Sequence, residues 1–461
     1  MAVTLKPLAE QTIVITGASS GIGLATARRA AREGANVVLA ARNEDALREA
    51  VEEIERRGGK AAYVAVDVAD EGAAAKIGAV AIERFGGFDT WVNDAAAALY
   101  ARLTEVSMDE HRRVFDVGYF GLVAGSLYAV EHLSARGGAL INVGSVLSDR
   151  SVLIQGAYCA MKHAVKGFTE ALRMELENEG RPIAVTLIKP NGIDTPYPEH
   201  ARNKMDDPAR IPPIVYDPEL VAKAICFAAA NQRREMLVGG QGLALTTLAN
   251  MFPRMADFGM EMLMDEKGQS IDQPPEPGTE DNLFEPRKDG RERSNKDIFV
   301  RKTSLALEAQ MHPLTTTMLG LGGAMLGAAS AGLLGNGKRG RNTAGLMLGL
   351  GTAGVLSAIG FGERLFGAGR GATEDKDSQA AMDENRMANS TPLNDPHANP
   401  LFQAEAQAGI ADENIVPATT SNAAPEQRLD PAPYQPELAA GIADENAVPT
   451  ESNPGSAAHP S

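Results

Sequence analysis

The chain has 461 residues, with 44 Lys and Arg against 60 Asp and Glu, which gives a formal net charge of −16. This acidic balance, without a long basic run, argues against a nucleic-acid-binding surface, so no nucleic-acid partner is predicted. The two cysteines are too few for a disulfide scaffold or a cysteine-based zinc site, and they suit a reducing compartment. No metal site is predicted.

Residues 8–264 alternate short apolar runs with longer amphipathic stretches, a pattern that indicates one domain. Seven runs are predicted as strands: TIVIT, NVVLAA, AAYVAV, DTWVN, GALINV, IAVTLI and EMLVGG. Most are apolar throughout, as strands buried on both faces are. Stretches such as ALREAVEEIERRGG carry their apolar residues on one helical side and stop at glycine. The alternation predicts an α/β fold in which a doubly wound parallel sheet has helices on both faces.

A glycine-rich loop follows the first predicted strand and reads TGASSGIG from Thr16 to Gly23. Glycines let a backbone approach a pyrophosphate closely, and a helix N-terminus supplies free N–H groups and the positive end of a dipole. Because the loop lies inside a strand–helix–strand unit, it predicts a dinucleotide site. The predicted contacts are Gly17, Ser19, Ser20, Gly21, Ile22 and Gly23.

The end of the second predicted strand indicates which dinucleotide binds. In sites of this kind a carboxylate holds the ribose 2′-hydroxyl of NAD, whereas an arginine accommodates the 2′-phosphate of NADP. Arg42 follows the strand directly, and no acid stands at that position. NADP(H) is therefore the preferred cofactor, and NAD(H) remains the alternative because Glu44 and Asp45 lie close by in the sequence.

A candidate catalytic group lies further along the chain. Ser145 ends a predicted strand, and Tyr158 and Lys162 are four residues apart, so a helix places both on one face. A neighbouring ammonium favours the phenolate and lowers a tyrosine pKa, which makes the phenol usable as a general acid or base. A serine hydroxyl can hydrogen-bond the reacting oxygen. The combination is far more specific than Tyr158 and Lys162 alone.

Taken together, these motifs resemble the short-chain dehydrogenase/reductase family over about residues 10–245. The resemblance implies a Rossmann-type domain with strand order 3-2-1-4-5-6-7. It implies hydride transfer between a nicotinamide and a small carbonyl or alcohol substrate, and a homo-oligomer. It makes Ser145, Tyr158 and Lys162 catalytic, with Tyr158 and Lys162 also at the cofactor. Further cofactor contacts are implied at Asp67, Val68, Asn93, Pro190, Ile193 and Thr195.

Two positions depart from the family pattern. Asn93-Asp94-Ala95-Ala96 replaces the usual Asn-Asn-Ala-Gly, which looks minor. Gly118 stands where members commonly carry a fourth catalytic residue, an asparagine that bends a helix and anchors a proton-relaying water. A glycine backbone could keep the bend, and a water could fill the space. The alternative function is a catalytically weak NADP(H)-binding scaffold or sensor.

The C-terminal part differs in composition. Residues 265–298 are rich in proline and charge, which predicts a linker. Two uncharged runs, 314–335 and 343–362, would each be about 30 Å long as helices, enough for a bilayer core. They predict an apolar helical hairpin within 299–370, with membrane association through 314–362 and the catalytic domain in the cytoplasm. A transmembrane, re-entrant or surface hairpin, a single span with an interfacial run, and a flexible Gly-Ala linker are the alternatives.

The last segment, 371–461, carries 15 acidic and 3 basic residues and repeats the sequence AGIADEN from Ala408 and Ala440. Such a segment has too little apolar surface to offset its chain entropy. It is predicted to be a disordered acidic tail.

Overall fold

The computed structural model describes residues 3–240, 242, 249, 251–273, 280–287 and 290–313. Its strands, in chain order, are β1 (Thr12–Thr16), β2 (Asn36–Ala41), β3 (Lys60–Ala65), β4 (Thr90–Asn93), β5 (Leu99–Tyr100), β6 (Gly138–Val143), β7 (Ile183–Pro190), β8 (Arg202–Asn203), β9 (Val215–Tyr216), β10 (Glu235–Val238) and β11 (Val300–Arg301). The seven longest form one parallel sheet in the order β10-β7-β6-β4-β1-β2-β3. The predicted Rossmann-type sheet and its strand order are therefore confirmed.

The α-helices of the described residues connect and cover these strands. They are α1 (Gly21–Arg32), α2 (Glu44–Arg56), α3 (Ala73–Phe85), α4 (Met108–Phe115), α5 (Gly121–Leu133), α6 (Gly156–Asn178), α7 (Tyr197–His200), α8 (Pro218–Ala230), α9 (Pro253–Leu263), α10 (Glu266–Gln269) and α11 (Leu305–Met311). Short 3-10 helices occupy Leu8–Glu10, Leu103–Glu105 and Val146–Ser148. The Asn43 side chain caps α2 by accepting a hydrogen bond from the Ala46 N–H at 3.1 Å.

Both faces of the sheet are buried. Along β1, Ile13 and Ile15 pack into one apolar cluster with α1, α2 and α8, whereas Val14 packs into a second cluster on the opposite face with α3, α5 and α6. Because successive side chains of a strand point to opposite faces, this division requires helices on both sides. It explains why the strand sequences are apolar throughout.

A π-helical turn, Asp116–Phe120, joins α4 to α5. The whole stretch Met108–Leu133 is, among the described residues, the one helix that meets the length and composition expected of a membrane span. In the fold, Leu122, Ala129 and Leu133 of this stretch are buried in the domain core. Its apolar character is therefore accounted for by packing against the sheet.

The described residues of the segment predicted to be a linker, 265–273, 280–287 and 290–298, instead pack on the domain. Gln269 and Leu283 are both fully buried, and Glu292 pairs with Arg28 of α1 at 2.9 Å. The linker prediction was wrong for these residues because several of their charges are paired with distant parts of the chain.

The predicted boundary of the apolar hairpin at residue 299 also needs correction. β11 pairs with β9, and α11 packs against β10, with Leu307 and Met311 in the core cluster of α1 and α8. Residues 300–313 therefore belong to the folded domain. The two uncharged runs within 314–362 and the acidic tail 371–461 lie outside the described residues, so the hairpin, its membrane association and the tail stay predictions, as does the homo-oligomer.

Candidate active site

The glycine-rich loop turns between β1 and α1 in a way that only glycine accommodates. Gly17 has a φ of +72°, and a Cβ on it would lie 2.9 Å from the backbone of Ala95. A Cβ on Gly23 would lie 2.4 Å from the Gly17 carbonyl oxygen. The loop therefore brings the N-terminus of α1 close to neighbouring backbone, and a side chain at either glycine would force it apart.

The ends of β2 and β3 place two charged groups beside this loop. The Arg42 guanidinium lies 3.8 Å from the Asp67 carboxylate, which also pairs with Arg113 of α4. Burial lowers the pKa of Arg42, while Asp67 opposes that shift. Arg42 also donates hydrogen bonds to two backbone carbonyls, those of Asn282 and of Phe284 at 2.7 Å. These carbonyls belong to the segment that was predicted to be a linker.

The three predicted catalytic residues converge between the ends of β6 and α6. Ser145 and Tyr158 share a side-chain hydrogen bond. Lys162 is 3% exposed, donates to the Val143 carbonyl at 2.7 Å, and lies with its Nζ 5.7 Å from the centroid of the Tyr158 ring. The helix thus places the ammonium beside the phenol, as the four-residue spacing predicted.

The sequence predicted that the pKa of Tyr158 is lowered, and this direction was wrong. Burial raises the pKa of Tyr158 above its ordinary value, and the hydrogen bond with Ser145 only partly opposes this. Burial also lowers the pKa of Lys162, and the charge of Asp94 opposes that shift. The fold therefore keeps Tyr158 in its protonated form.

Asp94 is a site residue that the sequence analysis passed over as a minor departure. Its carboxylate accepts a hydrogen bond from the Gly23 N–H and interacts electrostatically with Lys162. Burial raises the pKa of Asp94, and the charge of Lys162 opposes that shift. The available signal was the change from amide to acid within an otherwise familiar motif.

Asn93, in contrast, is buried inside the fold. It is 3% exposed and donates to Ser126 at 3.0 Å and to Asn142 at 2.9 Å, tying β4 to α5 and β6. Its amide oxygen accepts from the Trp91 indole N–H at 2.8 Å. The predicted cofactor contact at Asn93 is therefore replaced by a structural role, because all of these partners lie inside the sheet–helix interface.

At Gly118 the π-helical turn keeps the bend that was expected without an asparagine. The space next to it is filled, since a Cβ on Gly118 would lie 2.6 Å from Cε and 2.7 Å from Sδ of Met161. Met161 is fully buried. A methionine side chain therefore occupies the space beside Gly118 that a water could have filled.

One cavity of about 420 Å³ is lined by the glycine-rich loop, by residues that follow β2, β3 and β6, and by α6. The predicted site residues that line it are Gly17, Ser19, Ser20, Gly21, Ile22, Arg42, Asp67, Val68, Ser145, Tyr158, Lys162, Pro190, Ile193 and Thr195. Gly23 lies behind the loop and Asn93 inside the sheet, and neither lines the cavity. The loop, the helix N-terminus and Arg42 supply the N–H groups and the charge that a dinucleotide phosphate requires, so the residues present fit this cofactor.

Beyond Tyr158 the cavity has a mainly apolar wall. It is formed by Tyr100, Val152, Tyr197, Ile211, Pro212, Ile214, Met260 and Met264. Among the described lining residues near this wall, Gln155 and His200 are polar and buried. Gln155 is held by Tyr197 and Gln269, with donor–acceptor distances of 3.1 Å and 2.7 Å. A group bound at this end of the cavity would contact the Tyr158 hydroxyl and mainly apolar side-chain atoms.

Comparison with known proteins agrees with this geometry. A model of the short chain dehydrogenase family matches residues 11–206. The uncharacterized oxidoreductase YxnA of Bacillus subtilis is 44% identical over 315 residues, which are 68% of this chain and 88% of that protein. The 3beta-hydroxysteroid dehydrogenase 1 of Eggerthella lenta is 36% identical over 233 residues, 48% of this chain and 87% of that protein.

Among solved structures, a short chain dehydrogenase/reductase from Burkholderia phymatum in complex with NAD is similar at a TM-score of 0.50 with 26% sequence identity. The match covers 54% of this chain and 96% of that one. The chain therefore belongs to the short-chain dehydrogenase/reductase family, and it is an NAD(P)-dependent oxidoreductase.

Proposed function

We propose that this oxidoreductase prefers NADP(H) and transfers a hydride between the nicotinamide and the carbon of a carbonyl/alcohol pair, with Tyr158 as general acid and base. The observation that carries the proposal is the convergence of Ser145, Tyr158 and Lys162 in the same cavity as the glycine-rich loop. When bound, the nicotinamide supplies or takes up the hydride.

The chain's own residues handle the proton and the oxygen. In reduction, Tyr158 Oη donates its proton to the carbonyl oxygen, and Ser145 Oγ donates a hydrogen bond that steadies the charge developing there. The raised pKa of Tyr158 suits this direction, because the phenol is protonated at neutral pH. Lys162 orients the site next to Tyr158, and its ammonium is held in place by the hydrogen bond that it donates to the Val143 carbonyl.

The substrate is proposed to have an apolar body, because the wall beyond Tyr158 is mainly carbon. The experiment is a turnover screen of the purified full chain with NADPH and NADH. The panel would contain small aliphatic ketones, steroid ketones and the matching secondary alcohols, and it would follow the absorbance of the reduced nicotinamide. Tight cofactor binding without turnover on any member would favour the scaffold or sensor, which the methionine-filled space at Gly118 supports.

Cofactor preference is tested at Arg42. We expect Arg42→Gln to weaken NADPH binding by about ten- to a hundredfold, because a charge-assisted contact with the 2′-phosphate is lost. NADH affinity should change little, since an amide still donates to the carbonyls of Asn282 and Phe284. Titration of protein fluorescence with each cofactor measures both constants. Arg48→Gln, in the exposed part of α2, is the control. An unchanged ratio of NADPH affinity to NADH affinity in Arg42→Gln would contradict the assignment.

The pH dependence of ketone reduction is tested at Asp94. The charge of Asp94 raises the pKa of Lys162, against the lowering that burial causes. In Asp94→Asn that support is gone, so Lys162 loses its proton at lower pH. We expect the alkaline limb of kcat/KM to move to lower pH by roughly one to two units. The amide keeps an acceptor for the Gly23 N–H, so the fold should be retained.

Asp109→Asn serves as the matched control for this pH profile. The Asp109 side chain is 82% exposed, pairs with Arg112 and does not line the cavity. The alkaline limb of kcat/KM in Asp109→Asn should coincide with that of the unmodified chain. A limb in Asp94→Asn that stays in place or moves to higher pH would show that Asp94 does not support the charge of Lys162.

A further inference from the structure

A segment outside the region matched by the family model crosses the mouth of the cofactor cavity. We call residues 280–287 and 290–294 the strap. On the adenosine side, Arg42 donates to the Phe284 carbonyl at 2.7 Å, and the Asn43 amide donates to the Arg287 carbonyl at 2.6 Å. The strap backbone therefore lies directly on the residues that end β2.

The strap also contacts the phosphate loop and the opposite rim. The Gly21 N–H, at the start of α1, donates to the Arg291 carbonyl at 2.8 Å. On the opposite rim, Arg291 pairs with the Glu199 carboxylate of α7 at 2.7 Å. These contacts hold the strap across the cavity rather than beside it.

Arg287 is the strap residue that reaches from one rim to the other. Its carbonyl is bound by Asn43, whereas its guanidinium donates to the Glu199 carbonyl at 2.7 Å and to the Glu280 carbonyl at 3.1 Å. Arg287 also lines the cavity together with Ser19, Ser20 and Gly21. Arg287 therefore contacts both rims and lies on the wall of the same cavity as the phosphate loop.

Among the described residues, three lysine or arginine side chains line this cavity. Arg42 lies at the adenosine end and Lys162 at the catalytic end, whereas Arg287 lines the cavity together with the phosphate loop. The diphosphate of a dinucleotide lies at the phosphate loop when its adenosine and nicotinamide lie at the two ends. The loop has backbone N–H groups, of which that of Gly21 is bound to the Arg291 carbonyl, but no cationic side chain.

We propose that Arg287 is a cofactor-binding residue that contacts the diphosphate from the outer side, so that the strap completes the dinucleotide site. The inference rests on the proposed function, because it requires a dinucleotide in this cavity. A guanidinium is suited to the role, since its planar set of N–H donors matches phosphate oxygens. Arg287 supplies affinity for the part that NADPH and NADH have in common, whereas Arg42 distinguishes the two.

The test compares binding of whole cofactors and fragments by calorimetry on the full chain. In Arg287→Gln we expect NADPH, NADH and ADP-ribose each to bind about ten- to a hundredfold more weakly, because all three carry the diphosphate. Adenosine 2′-monophosphate lacks the diphosphate and should bind as before. Arg287→Lys, which keeps the charge, should recover part of the lost affinity.

Arg293→Gln is the matched control, because Arg293 belongs to the strap but pairs with Asp217 and does not line the cavity. Unchanged NADPH affinity in Arg287→Gln would overturn the inference. Equal loss in Arg293→Gln, or equal loss of adenosine 2′-monophosphate, would overturn it too, since the cause would then be a general disturbance of the strap. If the unmodified chain binds neither NADPH nor NADH, it is the proposed function that fails.

Discussion

Replacing Tyr158 with phenylalanine is expected to lower turnover by about two to four orders of magnitude, the usual contribution of a positioned general acid or base. The substitution removes only the hydroxyl, and the ring keeps its packing against Tyr197, whose centroid is 5.5 Å away. Cofactor affinity should change by a much smaller factor, because the phosphate loop, Arg42 and Lys162 are untouched. Steady-state rates and NADPH titrations on the same preparations measure both quantities.

Tyr63→Phe is a suitable control for that loss. Tyr63 lies in β3, is partly buried and does not line the cavity. It loses the same hydroxyl without touching the site, so its turnover should equal that of the unmodified chain. If Tyr158→Phe turns over at the unmodified rate on an identified substrate, another group moves the proton and the assignment of Tyr158 is wrong.

The second large effect concerns stability rather than chemistry. Leu307 of α11 is fully buried in the core cluster of α1 and α8, and the helix is held to β10 by Gln310, which exchanges hydrogen bonds with the Leu237 N–H and carbonyl at 2.9 Å each. We expect Leu307→Ala to reduce the free energy of unfolding by about 2–5 kcal/mol, through lost apolar burial and the cavity left behind.

Leu305 provides the matched comparison two residues earlier in the same helix. It is 87% exposed, so Leu305→Ala should change the free energy of unfolding by no more than about 0.5 kcal/mol. Urea denaturation followed by circular dichroism distinguishes the two variants. Equal stability of Leu307→Ala and Leu305→Ala would show that residues 300–313 do not belong to the cooperative fold.

Local pattern was sufficient for the sheet and for most of the site. The alternation of apolar strands with amphipathic helices predicted the seven parallel strands, because each element is encoded within its own few residues. Their order was implied by the family resemblance. The spacing of Tyr158 and Lys162 predicted their proximity for the same reason, since a helix fixes residues four apart. Ser145 followed from its place at a strand end, where parallel strands direct their functional groups.

The sequence did not predict the roles of residues whose partners lie far away in the chain. Residues 280–294 have the charge and proline content of a linker, yet Arg291 and Glu292 find their partners in Glu199 and Arg28. No local pattern encodes such pairs. Likewise, Asp94 looked like a neutral replacement because its significance comes from Lys162, which approaches it only once β4 and α6 are packed together.

The strap contacts both the phosphate loop and the helix next to the substrate region. Arg291 joins it to the first turn of α1 through its carbonyl and to α7 through its guanidinium, and α7 begins two residues after Thr195. One residue of the strap therefore contacts both the phosphate loop and the helix next to Thr195. Thermodynamic reciprocity then requires that, if a bound dinucleotide tightens the substrate region, substrate tightens the dinucleotide by the same factor.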